Sequence, residues 1–107
     1  MIEKTATDVK KLITSANNKI TVLDVREKWE YDICHIENSV HIPMGQITSR
    51  KDMLDKDDII IVVCHHGIRS RMVAKYLDNE GFCEVINLTG GVDAWSNEVD
   101  ETMDKYV

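Results

Sequence analysis

The chain has 107 residues, 43% hydrophobic and 30% charged, and this length and composition predict one domain with a buried core. Its net charge of −6 argues against a protein that tracks a nucleic-acid backbone, because such proteins carry a basic face. No apolar run approaches the ~20 residues of a membrane-spanning helix, so we expect neither nucleic acid nor a membrane as partner.

The three cysteines, Cys34, Cys64 and Cys83, stand far apart in the sequence, so they indicate neither a disulfide scaffold nor a zinc ribbon. The first residues, "MIEKTATDVKKL", lack the apolar region of a secretory signal. We therefore predict a cytoplasmic location, where thiols remain reduced. We also expect no cofactor.

The first half of the chain alternates between helical and extended patterns. Residues 6–16 predict a helix with Thr7 or Asp8 as N-cap and an apolar face formed by Val9, Leu12, Ile13 and Ala16. Residues 19–25 predict a strand, 27–33 a short helix and 39–43 a weaker strand. Residues 44–54 are ambiguous.

The second half carries the strongest signals. The apolar run 59–63 predicts a strand covered on both faces. Residues 70–80 predict a helix capped by Ser70 and ended by a left-handed Gly81, with Phe82 folding back on the last turn. Residues 84–88 predict a weaker strand, and 89–95 a glycine turn with a short helix. This alternation predicts an α/β fold with parallel strand pairing.

Cys64 follows the buried strand directly and so lies at the carboxyl edge of the predicted sheet, where ligands of such folds bind. The next helix begins within a few residues, and its free N–H groups and dipole attract anions, including a thiolate. Gly67 allows the loop to curl, and Arg69 adds positive charge. Cys64 could also be an ordinary buried residue, but the coincidence of these features predicts a nucleophile.

The two histidines of the loop leave three interpretations open. His65 and His66 could be catalytic bases, metal ligands or walls of the loop. The sequence shows no third ligand close to them, so we predict loop walls and no metal site.

Three motifs together resemble the rhodanese (thiosulfate sulfurtransferase) family in its single-domain form. They are "VLDVREKWEYDICHIENSVHIPM" (22–44), "IVVCHHGIRSRMVAKYL" (61–77) and "INLTGGVDAW" (86–95), in the order that the family has them. The resemblance implies one domain over 1–107, with a five-stranded parallel sheet flanked by helices on both faces. It also implies a catalytic Cys64 that carries sulfane sulfur as a persulfide.

The same resemblance assigns roles around the cysteine. The substrate-binding residues it implies are His65, His66, Gly67, Ile68, Arg69 and Ser70, and the supporting residues are Asp24 and Arg26. Arg26 is either a second anion contact or a structural hydrogen-bonding residue, and the resemblance favours the latter. The implied partners are a small anionic sulfur donor and a thiol or thioredoxin-like acceptor, with cyanide as an alternative acceptor.

The sequence departs from the family pattern at several positions. Cys34 and Asn38 stand where the family commonly has glycines, although asparagine tolerates the left-handed conformation that such a turn needs. His65 and His66 provide less permanent charge than the basic residue that family loops often carry. The loop should therefore hold doubly charged thiosulfate weakly, and the physiological donor remains open.

Rival functions of the same fold remain as alternatives. Phosphatases and arsenate reductases have five residues between cysteine and arginine, whereas four separate Cys64 from Arg69. Non-catalytic modules typically lose the cysteine. A persulfide carrier for a specific biosynthetic partner keeps it, and the sequence does not distinguish that carrier from an enzyme.

Overall fold

The computed structural model describes residues 1–15 and 19–106. Five parallel strands form one sheet in the order β1-β5-β4-β2-β3. Their bounds are β1 Ile2–Lys4, β2 Ile20–Asp24, β3 Val40–His41, β4 Ile59–Val63 and β5 Glu84–Leu88. The predicted α/β class and five-stranded parallel sheet are confirmed. The residue pattern had not indicated β1, because a three-residue, largely exposed edge strand has too little periodicity to detect.

Helices cover both faces of the sheet, as predicted. They are α1 Ala6–Ser15, α2 Lys28–Ile33, α3 Ile47–Arg50, α4 Ile68–Asn79 and α5 Gly91–Glu98, and 3₁₀ turns at Met44–Gln46 and Lys51–Met53 flank α3. One core contains Ile47 of α3 and Leu77 of α4. The core on the other face contains Val9 of α1 and Trp95 of α5. The ambiguous segment 44–54 is therefore a series of short helical turns.

Strand β4 positions the site. All five of its residues are buried, because it pairs with β5 and β2 on its two edges and has a core on each face. Its carboxyl end lies beside that of β2, with Asp24 opposite Val63. The residues that follow β4 and β2 therefore meet at one edge of the sheet.

Two predicted helix caps are wrong. Helix α4 begins at Ile68 and not at Ser70, because the left-handed Gly67 (φ 98°) already turns the chain into the helix. Thr5, rather than Thr7 or Asp8, caps α1, and its Oγ1 accepts a hydrogen bond from the Asp8 N–H at 3.2 Å. Ala16, predicted on the apolar face of α1, lies outside the described residues.

Two predicted turns are confirmed. Gly81 has φ 88° after α4, and Phe82 folds back so that its N–H contacts the Leu77 carbonyl at 3.3 Å. Asn38 has φ 65° and keeps the turn in which the family commonly has glycine. In the described ranges, every helix is too short or too polar to cross a membrane.

Candidate active site

Cys64 lies directly after β4 and is only 1% exposed. Its Sγ accepts a hydrogen bond from the Gly67 N–H at 3.1 Å. The positive φ of Gly67 directs this N–H back toward the sulfur, and α4 starts at the next residue. The loop therefore curls around the thiol at a helix N-terminus, where backbone N–H groups without intrahelical partners gather.

Asn87 of β5 holds Gly67 in place. Its Nδ2 donates to the Gly67 carbonyl at 3.1 Å, and its Oδ1 accepts a hydrogen bond from the Ser70 hydroxyl. Ser70 is fully buried. The structure thus places Ser70, expected to bind substrate, in a bond that ties α4 to β5. The Asn87 amide had not been identified from the sequence.

The start of α5 holds the other side of the loop. The Val92 N–H donates to the Cys64 carbonyl at 2.8 Å, and the Asp93 N–H donates to the His65 carbonyl at 3.1 Å. Gly91 permits this close approach, since a Cβ there would lie 2.2 Å from the Cys64 carbonyl oxygen. The second glycine of "TGGVDAW" therefore has a steric reason: it lets α5 orient the peptide groups of the loop.

Arg69 forms a bidentate ion pair with Glu30 of α2. Its Nη1 and Nη2 donate to the two Glu30 oxygens at 2.7 and 2.8 Å. The hydrogen bonds that Arg69 donates to Glu30, and then the charges of Glu30 and Cys64, raise the pKa of Arg69 despite its partial burial. The bonds from Arg69 likewise lower the pKa of Glu30 to about 2. Both groups are thus ionised near pH 7, and the charge of Arg69 is largely balanced.

Glu30 was not identified from the sequence as a site residue. Its side chain is 5% exposed, and it accepts further bonds from the Glu27 N–H at 2.9 Å and the Tyr106 hydroxyl at 2.8 Å. The bond to Glu27 belongs to a capping box at the start of α2. The spacing of Glu27 and Glu30 could have signalled this box, but nothing local could have signalled Tyr106 or Arg69 as partners.

Asp24 and Arg26 form a closed, buried pair behind the site. Arg26 is fully buried, and its Nε and Nη2 donate to the two Asp24 oxygens at 2.9 and 2.7 Å. Its guanidinium also donates to the Cys34 carbonyl at 2.6 Å and to the Tyr106 hydroxyl at 2.9 Å. Burial is the largest single influence and lowers the pKa of Arg26, but the hydrogen bonds and charge of Asp24, together with those of Tyr106, raise it overall. This geometry suits a structural hydrogen-bonding role and not an anion contact.

The remaining loop side chains form its rim. The His65 ring stacks between those of His66 and Tyr106, with centroid separations of 4.0 and 4.1 Å. Burial, and next the nearby His66, lower the pKa of His65, which is therefore neutral near pH 7. His66 is exposed, and Ile68 is 67% exposed. His65 and His66 thus lie next to each other at the rim of the loop, and their role as loop walls stays a prediction.

Asp93 is the third potential metal ligand that the sequence did not reveal. One ligand atom each of His65, His66 and Asp93 lies within 4.8 Å of the others. The two imidazole rings, however, are stacked at an interplanar angle of 18°. Because the nitrogen lone pairs lie in the ring planes, the two rings do not converge on one ion in this arrangement.

Comparisons with known proteins identify the family. A model of the rhodanese-like domain matches residues 5–98. "Putative sulfur carrier protein YrkF" of Bacillus subtilis (strain 168) is 38% identical over 85 residues, which cover 79% of this chain and 46% of YrkF. This chain thus spans less than half the length of that relative. "Thiosulfate sulfurtransferase GlpE" of Coxiella burnetii (strain RSA 331 / Henzerling II) is 38% identical over 76 residues, 71% of each chain.

A solved structure agrees with the sequence matches. A rhodanese-like domain protein from Staphylococcus aureus has a TM-score of 0.84 and 29% identity to this chain, with 100% of both chains covered. The family model spans both motifs that meet at the site, the Cys64 loop and the glycine turn before α5. The chain belongs to the rhodanese-like domain family.

Proposed function

We propose that the protein is a sulfurtransferase that works through a persulfide on Cys64. The Cys64 thiolate attacks the outer sulfur of a donor such as thiosulfate, a new S–S bond forms, and the S–S bond of thiosulfate breaks as sulfite leaves with the electron pair. A thiophilic acceptor (cyanide, a thiol or a thioredoxin-like protein) then attacks the outer sulfur of the persulfide. The Cys64 thiolate leaves, and the site is regenerated without net oxidation.

The contact between the Gly67 N–H and the Cys64 sulfur is the observation that carries this proposal. A backbone N–H fixed in the direction of the sulfur stabilises an anion there without reorganisation. In the proposed role, Gly67 and the neighbouring N–H groups at the start of α4 receive the terminal persulfide sulfur. Arg69 keeps the loop in shape through Glu30, and His65, His66 and Ile68 border the entrance.

A persulfide carrier is the second candidate, and the charge of the site favours it over a dedicated thiosulfate enzyme. Glu30 balances Arg69, and the lowered pKa of His65 leaves that ring neutral near pH 7. Little uncompensated positive charge then remains to attract a dianion. A carrier that receives sulfur from a protein persulfide would need less positive charge at the site, because it need not bind a dianion. One relative also bears the name of a sulfur carrier.

Loop size disfavours the phosphatase alternative. Only four residues separate Cys64 from Arg69, and the loop already brings the Gly67 N–H to 3.1 Å from the sulfur. A tetrahedral phosphate carries three peripheral oxygens and needs a wider ring of N–H donors. We also propose a cytoplasmic reaction, because the chemistry needs a thiol at Cys64, and Cys34, Cys64 and Cys83 are all free.

Mass spectrometry after incubation with thiosulfate tests the proposal. Wild type should gain the mass of one sulfur atom on the peptide containing Cys64, and Cys64→Ser should gain none while it keeps its fold. Cys83→Ser is the matched control, because Cys83 is exposed and its Sγ contacts only Asp57, at 3.8 Å, in the described parts of the chain. Thiosulfate:cyanide activity of Cys64→Ser within about tenfold of wild type would defeat the assignment.

An additional donor, a small-molecule persulfide such as glutathione persulfide, separates the two candidates. An enzyme of the thiosulfate type should form the Cys64 persulfide with either donor. A carrier should react with the persulfide donor and poorly with thiosulfate.

A further inference from the structure

The segment after α5 brings Tyr106 to the active-site loop. Two hydrogen bonds fix the start of this segment, since the N–H groups of Val99 and Asp100 both donate to the Trp95 carbonyl at 2.9 Å. Further along, Lys105 donates to Asn97 at 2.6 Å. Tyr106 lies beyond residues 5–98, to which the family model is matched. Its contacts are therefore made from outside the segment that the family model matches.

The Tyr106 hydroxyl joins the two ion pairs of the site. It accepts a hydrogen bond from Arg26 Nη1 at 2.9 Å and donates one to Glu30 Oε1 at 2.8 Å. An arginine can only donate, so the tyrosine proton is necessarily directed toward Glu30. Burial raises the pKa of Tyr106 to about 12, so the proton remains in place near pH 7. The same Oε1 accepts a hydrogen bond from Nη2 of Arg69.

The Tyr106 ring contacts the loop from another direction. It stacks on His65 with an interplanar angle of 18°, and Trp29 of α2 contacts it edge to face at a centroid separation of 5.7 Å. One side chain thus supports the loop at two points. The ring supports His65, which follows Cys64 directly, and the hydroxyl supports Glu30, which holds Arg69 at the other end of the loop.

We propose that Tyr106 is a positioning residue that sets the geometry of the loop around Cys64 through Glu30 and His65. Without the hydroxyl, Glu30 Oε1 loses one of the hydrogen bonds that orient the carboxylate. The Arg69 guanidinium can then shift, because it donates to the same oxygen. Without the ring, His65 loses one of its two stacking partners. The effect on catalysis depends on the proposed sulfur transfer, whereas the effect on the reactivity of Cys64 does not.

Three variants test the proposal. Tyr106→Phe removes the hydroxyl and keeps the stacking ring, and Tyr106→Ala removes both. Tyr76→Phe is the control, because the Tyr76 hydroxyl contacts Lys51 at 3.0 Å, outside the site. We expect kcat/KM for sulfur transfer to fall about tenfold in Tyr106→Phe and about a hundredfold in Tyr106→Ala, and to stay unchanged in Tyr76→Phe.

A second measurement separates positioning from folding and from the proposed function. In a background where Cys34 and Cys83 are serine, the alkylation of Cys64 by iodoacetamide is followed as a function of pH. Tyr106→Phe should shift the pH at which alkylation of Cys64 reaches half its maximal rate, relative to the unchanged background. The comparison is made under conditions where circular dichroism shows the same folded fraction. This readout requires no sulfur transfer.

The outcomes are distinguishable. If the wild-type loop forms no persulfide from any donor, the proposed function fails, and the alkylation profile still decides the role of Tyr106. Identical alkylation profiles for Tyr106→Phe and the unchanged background would overturn the positioning role. Lower thermal stability of Tyr106→Phe with an unchanged profile would also overturn it, since it would show a purely structural tyrosine.

Discussion

Glu30 is the residue whose replacement should disturb the site most without touching Cys64. Its two oxygens accept bonds from Arg69, from the Tyr106 hydroxyl and from the Glu27 N–H. Glu30→Gln keeps the shape and removes the charge. The glutamine amide has one acceptor oxygen and cannot accept both hydrogen bonds of Arg69 in the bidentate geometry. The substitution should therefore destabilise the fold as well as the loop.

The lowered pKa of Glu30 gives the size of this effect. Its pKa lies at about 2 against an ordinary 4.5. At ~1.4 kcal/mol for each tenfold change in the protonation equilibrium, that difference corresponds to ~3 kcal/mol. The Arg69 side chain is 35% exposed, so water screens part of the interaction, and we expect ~1–2 kcal/mol. In a domain of this size, that should lower Tm by about 5–10 °C.

The dependence on pH distinguishes an ionic contribution from simple loss of packing. Above about pH 5, Glu30 is ionised in both the folded and the unfolded chain, and its full contribution is present. As pH falls below 4.5 toward 2, the unfolded chain binds a proton before the folded one does. The stability that Glu30 contributes is lost over that range. The difference in Tm between wild type and Glu30→Gln should therefore shrink as pH falls.

Thermal unfolding followed by circular dichroism at several pH values between about 7 and 3 measures this difference. Glu80→Gln is the matched control, because Glu80 also forms an ion pair, with Lys51, but at the surface, where such pairs contribute little. A difference in Tm for Glu30→Gln that is absent at neutral pH, or that is as large at pH 3 as at pH 7, would refute the reasoning.

Two further predictions concern the backbone of the loop. Gly91→Ala places a Cβ 2.2 Å from the Cys64 carbonyl oxygen and should reduce sulfur transfer by about a hundredfold or more. Gly45→Ala should be silent in the same assay, because no atom of the described residues lies within 4 Å of its Cβ. A glycine inserted after His66 should widen the loop, lower sulfur transfer and admit weak hydrolysis of p-nitrophenyl phosphate. The unmodified loop should show negligible hydrolysis, because two lost hydrogen bonds at ~1.5–3 kcal/mol each suppress it by about two to four orders of magnitude. Efficient phosphatase turnover that depends on Cys64 would contradict the sulfurtransferase proposal.

The fold was predictable because its signals are local. The apolar run of β4 and the glycine after α4 each specify their own conformation, and alternating strands and helices leave few topologies open. The position of Cys64 at a strand end followed from the same reasoning. Local signals were weakest for β1, which has three residues and lies at the edge of the sheet beside β5.

The errors and omissions at the site share a different cause. Ser70 was predicted to cap α4 because serine often does so, but the fold places Asn87 where its Oδ1 accepts a hydrogen bond from the Ser70 hydroxyl. The partner of Arg69 is Glu30, 39 residues away, and Tyr106 is 76 residues from Glu30. Such pairs form only after the carboxyl ends of the strands are brought together. Single-sequence patterns do not encode these contacts.

The ion pairs around the Cys64 loop affect which anions the site can bind. The formal charges behind the loop are arranged in neutral pairs, Asp24 with Arg26 and Glu30 with Arg69. In the proposed mechanism, backbone N–H groups stabilise an anion on Cys64, and the N–H of Gly67 already contacts the sulfur. Dipoles of this kind act over a short range and favour a single charged atom over a large dianion. The proposed selectivity for a terminal persulfide sulfur therefore follows from the way in which the ion pairs cancel, as well as from the size of the loop.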